Sequence, residues 1–460
     1  MSGSADKHPA SYRDPAGFVF EHQGDVYRQV NSSYQPHYEQ LMRSGLYQRL
    51  IDEKLLIPHQ EIKEFLNSDI YRVIKPERIP FISYPYEWCY SQLREAALMT
   101  LQIQRISLEY GMTLKDASPY NIQFRSGRPI FIDTLSWEIL DENVPWIAYR
   151  QFCEMFLAPL ALGHYSKQSV NQALLAWPDG IPLSTCSKQL PLKSRFNIDL
   201  ALHIHLHAKL SSGSNQKPHS PGNYSAEKSK QVVRSLQRSI EKFKLPTRNS
   251  HWSTYYDEVT LRDQYLADKQ RIIGEWLKQI GPMEKALDVG CNTGQFSLSL
   301  AEYSKQVIAI DSDERSIDTL YQHVRDSNIV RESNILPLTQ DLSNLSPASG
   351  LLGTERSSFI DRGPFDLVLS LALIHHLIIG RQVPLNNCVS LFSKLSKRYL
   401  ILEFVPMKDP WAQMLLSAKS QKSHPYNQEQ LEEAFQEQFK TIDARPILET
   451  ERILFLFERR

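Results

Sequence analysis

The chain has 460 residues and carries 52 Lys and Arg against 52 Asp and Glu, for a formal net charge of zero. That length accommodates two or three domains, each able to bury its own core. The charge balance argues against a protein that coats nucleic acid or an anionic membrane, while leaving room for a local basic patch. The cysteines, Cys89, Cys153, Cys186, Cys291 and Cys388, lack the close spacing of a metal or redox motif and point to reduced thiols. The N-terminal stretch is polar rather than a secretory signal, and no apolar run reaches the roughly 18 residues of a membrane helix. A soluble, cytoplasmic protein is expected.

Residues 1–195 mix short strand-like runs, such as "GFVFEHQGDVYRQV", with longer helical patterns such as "QPHYEQLMRSGLYQRLIDEKLL". The informative segment is "GMTLKDASPYNIQFRSGRPIFIDTLSWE", in which Asp116 and Asn121 are spaced D-x-x-x-x-N and Asp133 ends a short strand. In phosphotransferases this spacing sets a base for the attacking hydroxyl beside metal ligands. The segment resembles the catalytic loop of the kinase-like fold, especially small-molecule kinases such as aminoglycoside and choline kinases. The resemblance implies Asp116 as the base and Asn121 and Asp133 as magnesium ligands. It also implies "VYRQV" as a third strand and "FISYPYEW" as a strand and hinge between lobes. Three features depart from it. Lys115 precedes the aspartate, Arg28 stands where a nucleotide-pairing lysine belongs, and "DPAGFVFEHQGD" makes a poor cover for phosphates. Arginine is not an equivalent point charge for that task. The expectation is a degenerate kinase-like α+β domain that binds substrate or a partner, with an active small-molecule phosphotransferase as the alternative.

Residues 196–250 read as a linker and a basic helix. "SSGSNQKPHSPGNYS" cannot bury much, and "AEKSKQVVRSLQRSIEKFKL" has the pattern of a solvated helical face. "LHIHLHA" would put His203, His205 and His207 on one face of a strand, whereas only His203 and His207 align in a helix. With no cysteine or acidic ligand nearby, ordinary packing is expected there, and no metal site.

From 251 to 460, "KALDVG", "QVIAIDSD", "ILPLTQD", "FDLVLSLA" and "YLILEFVP" are nearly continuous apolar runs, as in parallel strands covered on both faces. "FKTIDARPILETERILFLFERR" adds a terminal antiparallel hairpin. The fold expected is α/β, a doubly wound Rossmann-like sheet. Ligands bind such sheets beyond the carboxyl ends of the strands, where strand order reverses. "ALDVGCNTG" puts Asp288 at that end of the first strand and Gly290 and Gly294 in the turn. Asp311 closes the second strand, placed to accept from both hydroxyls of a ribose. The order D-x-G-x-x-x-G lacks the third glycine of a dinucleotide fingerprint, and an acid so near the turn repels a pyrophosphate. It suits a sulfonium carrying an amino-acid tail.

The stretch resembles the first motif of class I S-adenosylmethionine-dependent methyltransferases. "IDSD", "LTQDLSN", "FDLVLSLALIHHL" and "LILEFVP" resemble the motifs that follow. The resemblance implies S-adenosyl-L-methionine as cofactor, held by Asp288, Gly290, Asn292, Gly294, Asp311, Asp341 and Ser370, with Asp341 accepting from the adenine amino group. Methyl transfer from a sulfonium is an in-line displacement governed by positioning, and a base is needed only if the nucleophile must lose a proton. His375 and His376, where the fourth strand ends, either supply that base or start a helix with structural hydrogen bonds. Glu403, at the next strand end, either orients a substrate hydroxyl or amine or pairs with a nearby cation. No "NPPY"-like tetrapeptide follows the fourth strand, so the expected acceptor is an O or N atom of a small molecule or metabolite, with no nucleic acid and no membrane as partner. The whole chain resembles a group of bacterial two-part methyltransferases. A non-catalytic scaffold using both folds as docking surfaces is the remaining alternative. The oligomeric state is not encoded legibly.

Overall fold

The computed structural model describes residues 7–63, 70–211, 224–245, 262–327, 329, 334–417 and 426–460. Residues 212–223 of the expected linker, and the boundary expected at 250/251, lie outside them. The chain forms two compact units. One comprises Met1–Thr247 together with Ser349–Arg356, and the other Arg248–Ala348 with Ser357–Arg460.

In the first unit, β1 (Gly17–His22) and β2 (Asp25–Asn31) form a hairpin, and β3 (His59–Ile62) and β4 (Ile70–Pro76) complete an antiparallel sheet of order β1-β2-β4-β3. "VYRQV" is therefore in the second strand rather than a third. The expected single helix after it is two, Gln35–Arg43 and Leu46–Asp52, broken at Ser44 and Gly45. "FISYPYEW" contains no strand; it forms a short 3-10 turn, Pro85–Glu87, ahead of the long helix Tyr90–Glu109. That helix buries Leu93, Ala97, Leu101 and Leu108 among other apolar positions, beside Trp88 and Trp137. Four short strands follow: β5 (Met112–Leu114) pairs with β8 (Trp137–Ile139), and β6 (Ile122–Arg125) pairs with β7 (Arg128–Phe131).

The helices between 196 and 245 belong to this unit too. The basic helix Ala226–Lys242 buries Val233, Leu236 and Ile240, and Arg94 Nε donates to the Ile240 carbonyl at 3.1 Å. It is packed on one face and exposed on the other. "LHIHLHA" is helical, with a π-helical turn at Ala201–Leu206. Its histidines are committed to hydroxyls: His203 to Tyr149 and Ser235, His205 to Ser187 and Ser194. Ser349–Arg356 joins the unit through Glu355, whose Oε1 accepts from Tyr12 Oη at 2.6 Å and Arg13 Nη2 at 3.0 Å.

The second unit is built on seven strands: β9 (Met283–Val289), β10 (Ser304–Asp311), β11 (Ile335–Thr339), β12 (Phe365–Ser370), β13 (Ser396–Phe404), β14 (Phe439–Pro446) and β15 (Ile453–Arg459). Their order is β11-β10-β9-β12-β13-β15-β14. β9 to β13 run parallel, and β15 inserts antiparallel between β13 and β14, as the terminal hairpin requires. The apolar runs are buried because both sheet faces are covered; Ala286, Leu287, Val307, Ile308, Leu367 and Val368 are all fully inaccessible. The chain proceeds from β9 to one side, then returns to β12 on the other side. The carboxyl ends of β9 and β12 therefore flank the crevice where ligands bind in doubly wound sheets. Among the described residues no helix is long and apolar enough to cross a membrane.

Candidate active site

The turn after β9 takes the shape the glycines permit. Gly290 has φ of 73° and Gly294 of 88°, with Asn292 between them also left-handed at 49°. A Cβ on Gly290 would lie 3.3 Å from Leu373, filling the gap between this turn and the loop after β12. A Cβ on Gly294 would lie 2.3 Å from Leu320, so this glycine lets the helix Glu314–Asp326 pack against the start of the helix Gln295–Ala301. The turn is pinned to β10: the Gly290 and Cys291 amides donate to the Ile310 carbonyl at 2.8 and 3.1 Å.

Asp288 is buried at the end of β9, where its Oδ2 accepts from Ser297 Oγ at 2.6 Å. Burial raises its pKa to about 7, aided by the nearby Asp311 and opposed by Ser297 and Lys269. Asp311, at the end of β10, accepts from the Asn292 and Asp313 amides, both at 2.9 Å; burial also raises its pKa. The Ser312 amide also acts on this carboxylate, and three backbone donors leave about one of its four lone-pair sites for a ligand. Asp341 follows β11 and is half-exposed, held by the Ser343 amide and hydroxyl and by Arg381 Nη2 at 2.9 Å. Ser370 ends β12, fully buried, and its hydroxyl has no partner among the described residues.

Beyond Ser370, Ala372 is left-handed at φ of 48° and a π-helical turn, His376–Gly380, begins. Backbone departures of this kind concentrate at functional sites. His375 is fully buried, and neither ring nitrogen meets a partner among the described residues. Its ring lies 4.1 Å from that of His376. Burial, then the neighbouring His376 and Arg452, hold the His375 pKa well below the ordinary value. Burial and Arg452 lower that of His376 to about 4. Both imidazoles are neutral at pH 7.

Glu403 takes the second of its two expected roles. It is fully buried at the end of β13, with Oε2 accepting from Lys269 Nζ at 2.7 Å, and Oε1 from Tyr265 Oη at 2.7 Å and Arg452 Nη1 at 3.2 Å. Burial alone would raise its pKa, but the two cations overrule it and hold the group at about 2. Arg452 also pairs with Asp409 at 2.8 Å. The residues that reading motifs misses are therefore Ser297, Tyr265, Lys269, Asp409 and Arg452. A signal for Lys269 was present. It stands three, four and seven residues before Ile272, Ile273 and Trp276, all buried on the helix Arg262–Ile280.

In the first unit Asp116, Asn121 and Asp133 each engage neighbours. Asp133 Oδ1 accepts from Arg28 Nη1 at 2.6 Å and from the Leu135 amide at 2.9 Å, and its Oδ2 from Ser136 Oγ at 2.8 Å. Asn121 Nδ2 donates to Ser136 Oγ at 3.3 Å, and Asp116 Oδ1 accepts from the Ser118 amide and Gln151 Nε2. Arg28 also pairs with Asp14 at 2.8 Å. A guanidinium already supplies the positive charge that a metal on Asp133 would bring, so these residues do not fit a magnesium pair.

Residues 287–397 match the model of a methyltransferase domain. Across nearly the whole chain the sequence is 31% identical to nodulation protein NoeA of Rhizobium meliloti (strain 1021), over 461 residues that span 98% of this chain and 95% of that protein. Among solved structures, magnesium protoporphyrin IX methyltransferase (ChlM) from Synechocystis PCC 6803 is 16% identical, covering 44% of this chain and 88% of that one, with a TM-score of 0.33. N-methyltransferase NodS from Bradyrhizobium japonicum WM9 is 16% identical, covering 41% and 96%, with a TM-score of 0.31. The protein is an S-adenosylmethionine-dependent methyltransferase. The chain as a whole belongs to the family of nodulation protein NoeA.

Proposed function

We propose that this enzyme methylates an O or N atom of a small molecule or metabolite, at the carboxyl end of β12. The observation that carries the proposal is the fully buried, neutral His375, whose two ring nitrogens have no partner among the described residues. Burying an imidazole without hydrogen bonds is costly, and an acceptor hydroxyl or amine would satisfy it. S-adenosylmethionine, when bound, supplies an electrophilic methyl. Asp288, Gly290, Asn292, Gly294, Asp311, Asp341 and Ser370 are the residues proposed to hold it. The left-handed turn at Gly290, the remaining acceptor capacity of Asp311 and the unpartnered Ser370 hydroxyl support that fit.

In this reading His375 and His376 hold the acceptor and take its proton where the nucleophile must lose one. A neutral imidazole is the form that can accept it. Glu403, clamped by Lys269, Tyr265 and Arg452, fixes the adjoining strand end and does not touch the acceptor. The first unit is proposed as a kinase-like scaffold that binds substrate or a partner without phosphoryl transfer, a reading supported by the Arg28–Asp133 pair.

The test is to incubate purified enzyme and cell extract with methyl-labelled S-adenosylmethionine and identify the labelled product. A small metabolite labelled at O or N is expected, with labelling reduced in His376→Ala while donor binding persists. Label confined to nucleic acid or protein would overturn the substrate class, and undiminished labelling in His376→Ala together with His375→Ala would overturn the role of the pair.

A further inference from the structure

The chain's net neutrality conceals a local reversal between residues 183 and 211. That segment carries Lys188, Lys193, Arg195 and Lys209 against a single acid, Asp199. Asp199 is neutralised within the fold, accepting from Ser235 Oγ at 2.7 Å and Arg238 Nη2 at 3.2 Å. The four cations project into solvent.

The side chains are arranged inside out. In the continuous helix from Ile198 to Ser211, the polar histidines His203 and His205 turn inward and find hydroxyl partners, alongside buried Leu200, Ile204 and Ala208. Ile198, Leu202 and Leu206, four residues apart, turn outward, with Ile198 84% exposed. The preceding 3-10 turn, Leu192–Phe196, adds Leu192 at 72% and Phe196 at 88% exposure. Isolated apolar residues on a surface are ordinary, but five large ones on one short segment mark an interaction surface.

We infer that this segment docks the protein on an anionic lipid surface. Projecting Leu, Ile and Phe side chains ringed by Lys and Arg are what penetrates between headgroups while the cations meet their phosphates. The charge selects this occupant. A second copy of the same face would bring four cations against four cations, which disfavours a symmetric dimer. Side chains that stand out from the surface, instead of lining a groove, fit a deformable layer better than a partner's helix. The contact is peripheral, its depth set by side chains of this one segment.

Flotation of full-length protein with phosphatidylcholine vesicles, with and without phosphatidylglycerol, tests the inference. Binding is expected to the phosphatidylglycerol vesicles only and to weaken with added salt. Phe196→Ser with Ile198→Ser should reduce it at least about tenfold, since each lost apolar insertion is worth about that factor. Lys193→Gln with Arg195→Gln should reduce it and flatten its salt dependence. Circular dichroism and thermal unfolding of both variants matching the parent would establish that the unit carrying the segment folds. Absence of vesicle binding, or binding indifferent to the apolar substitutions, overturns the inference. So does concentration-dependent dimerisation in ultracentrifugation, or capture of an acidic protein, that vanishes in the Phe196→Ser, Ile198→Ser variant while vesicles are ignored.

Discussion

Ser297 Oγ donates to Asp288 Oδ2 across 2.6 Å, inside a site from which solvent is excluded. This one hydrogen bond holds the carboxyl that burial pushes up to about 7. A cationic ligand favours the ionised form, so binding near neutral pH should release protons. Affinity should fall as pH drops below 7, approaching about tenfold per pH unit. In the free protein the linkage has the opposite consequence. Between about 4 and 7 the native state holds a proton that the unfolded chain has lost, so this group makes stability fall as pH rises through that window. Calorimetric titration of S-adenosylmethionine in buffers of different ionisation enthalpy measures the proton release. A pH-independent affinity between 5.5 and 8, values chosen to bracket the roughly neutral midpoint, would remove Asp288 from the site.

Gly294 is the turn residue least able to change. Its φ of 88° and a Cβ position 2.3 Å from Leu320 make alanine costly for two separable reasons, backbone strain and collision. Gly294→Ala should destabilise the protein by about 2–4 kcal/mol, combining the left-handed penalty with overpacking. Adding Leu320→Ala should recover the collision but not the strain, while leaving a cavity cost of its own. Thermal unfolding of the single and double variants distinguishes these contributions; a Gly294→Ala protein as stable as the parent would contradict the packing described.

The second unit was legible because its strands are buried on both faces, so that apolar runs such as "FDLVLS" announce themselves and Asp288 and Asp311 mark strand ends. The Glu403 cluster was not legible as a cluster. Tyr265 and Lys269 lie one turn apart on one helix, but Asp409 and Arg452 come from two other places in the chain, and only the tertiary fold brings all of them to Glu403. In the first unit the spacing of Asp116, Asn121 and Asp133 was visible, but the pairing of Asp133 with Arg28, 105 positions earlier, depends on a hairpin register that spacing cannot supply. The segment at 198–211 was left open between strand and helix for a different reason. Alternating His and apolar residues suit a strand, and the π-helical turn that hides the histidines has no sequence period of its own.

Breaking the Lys269–Glu403 pair should be among the most damaging changes in the second unit. Both side chains are shielded from water, and removing one leaves the other charge buried alone. Lys269→Met is expected to cost about 3–5 kcal/mol, and Lys269→Met with Glu403→Leu markedly less than the sum of the single changes. The acid side follows from the Glu403 pKa near 2. Stability from this pair is complete above the unfolded carboxylate value of about 4 and is lost as pH falls toward 2. Urea unfolding at pH 3 and pH 7 should therefore show a smaller penalty for Lys269→Met at the lower pH, which is about midway through that window. An equal penalty at both would refute the assigned ionisation.

Arg28 and Asp133 decide the fate of the first unit. Magnesium and a nucleotide would have to displace a guanidinium 2.6 Å from the carboxylate and leave Arg28 facing a second cation, with only Asp14 in compensation. Titration of the full chain with ATP and magnesium should therefore give no metal-dependent heat, and Arg28→Lys alone should not create it. Asp133→Ala should instead destabilise this unit, because Arg28, 14% exposed at its side chain, loses a buried partner. Asp14 remains paired with it, so the loss should be at the lower end of about 1–3 kcal/mol. Magnesium-dependent ATP binding that Asp133→Ala abolishes would restore the phosphotransferase reading, and the ion pair would then be a resting arrangement that nucleotide displaces.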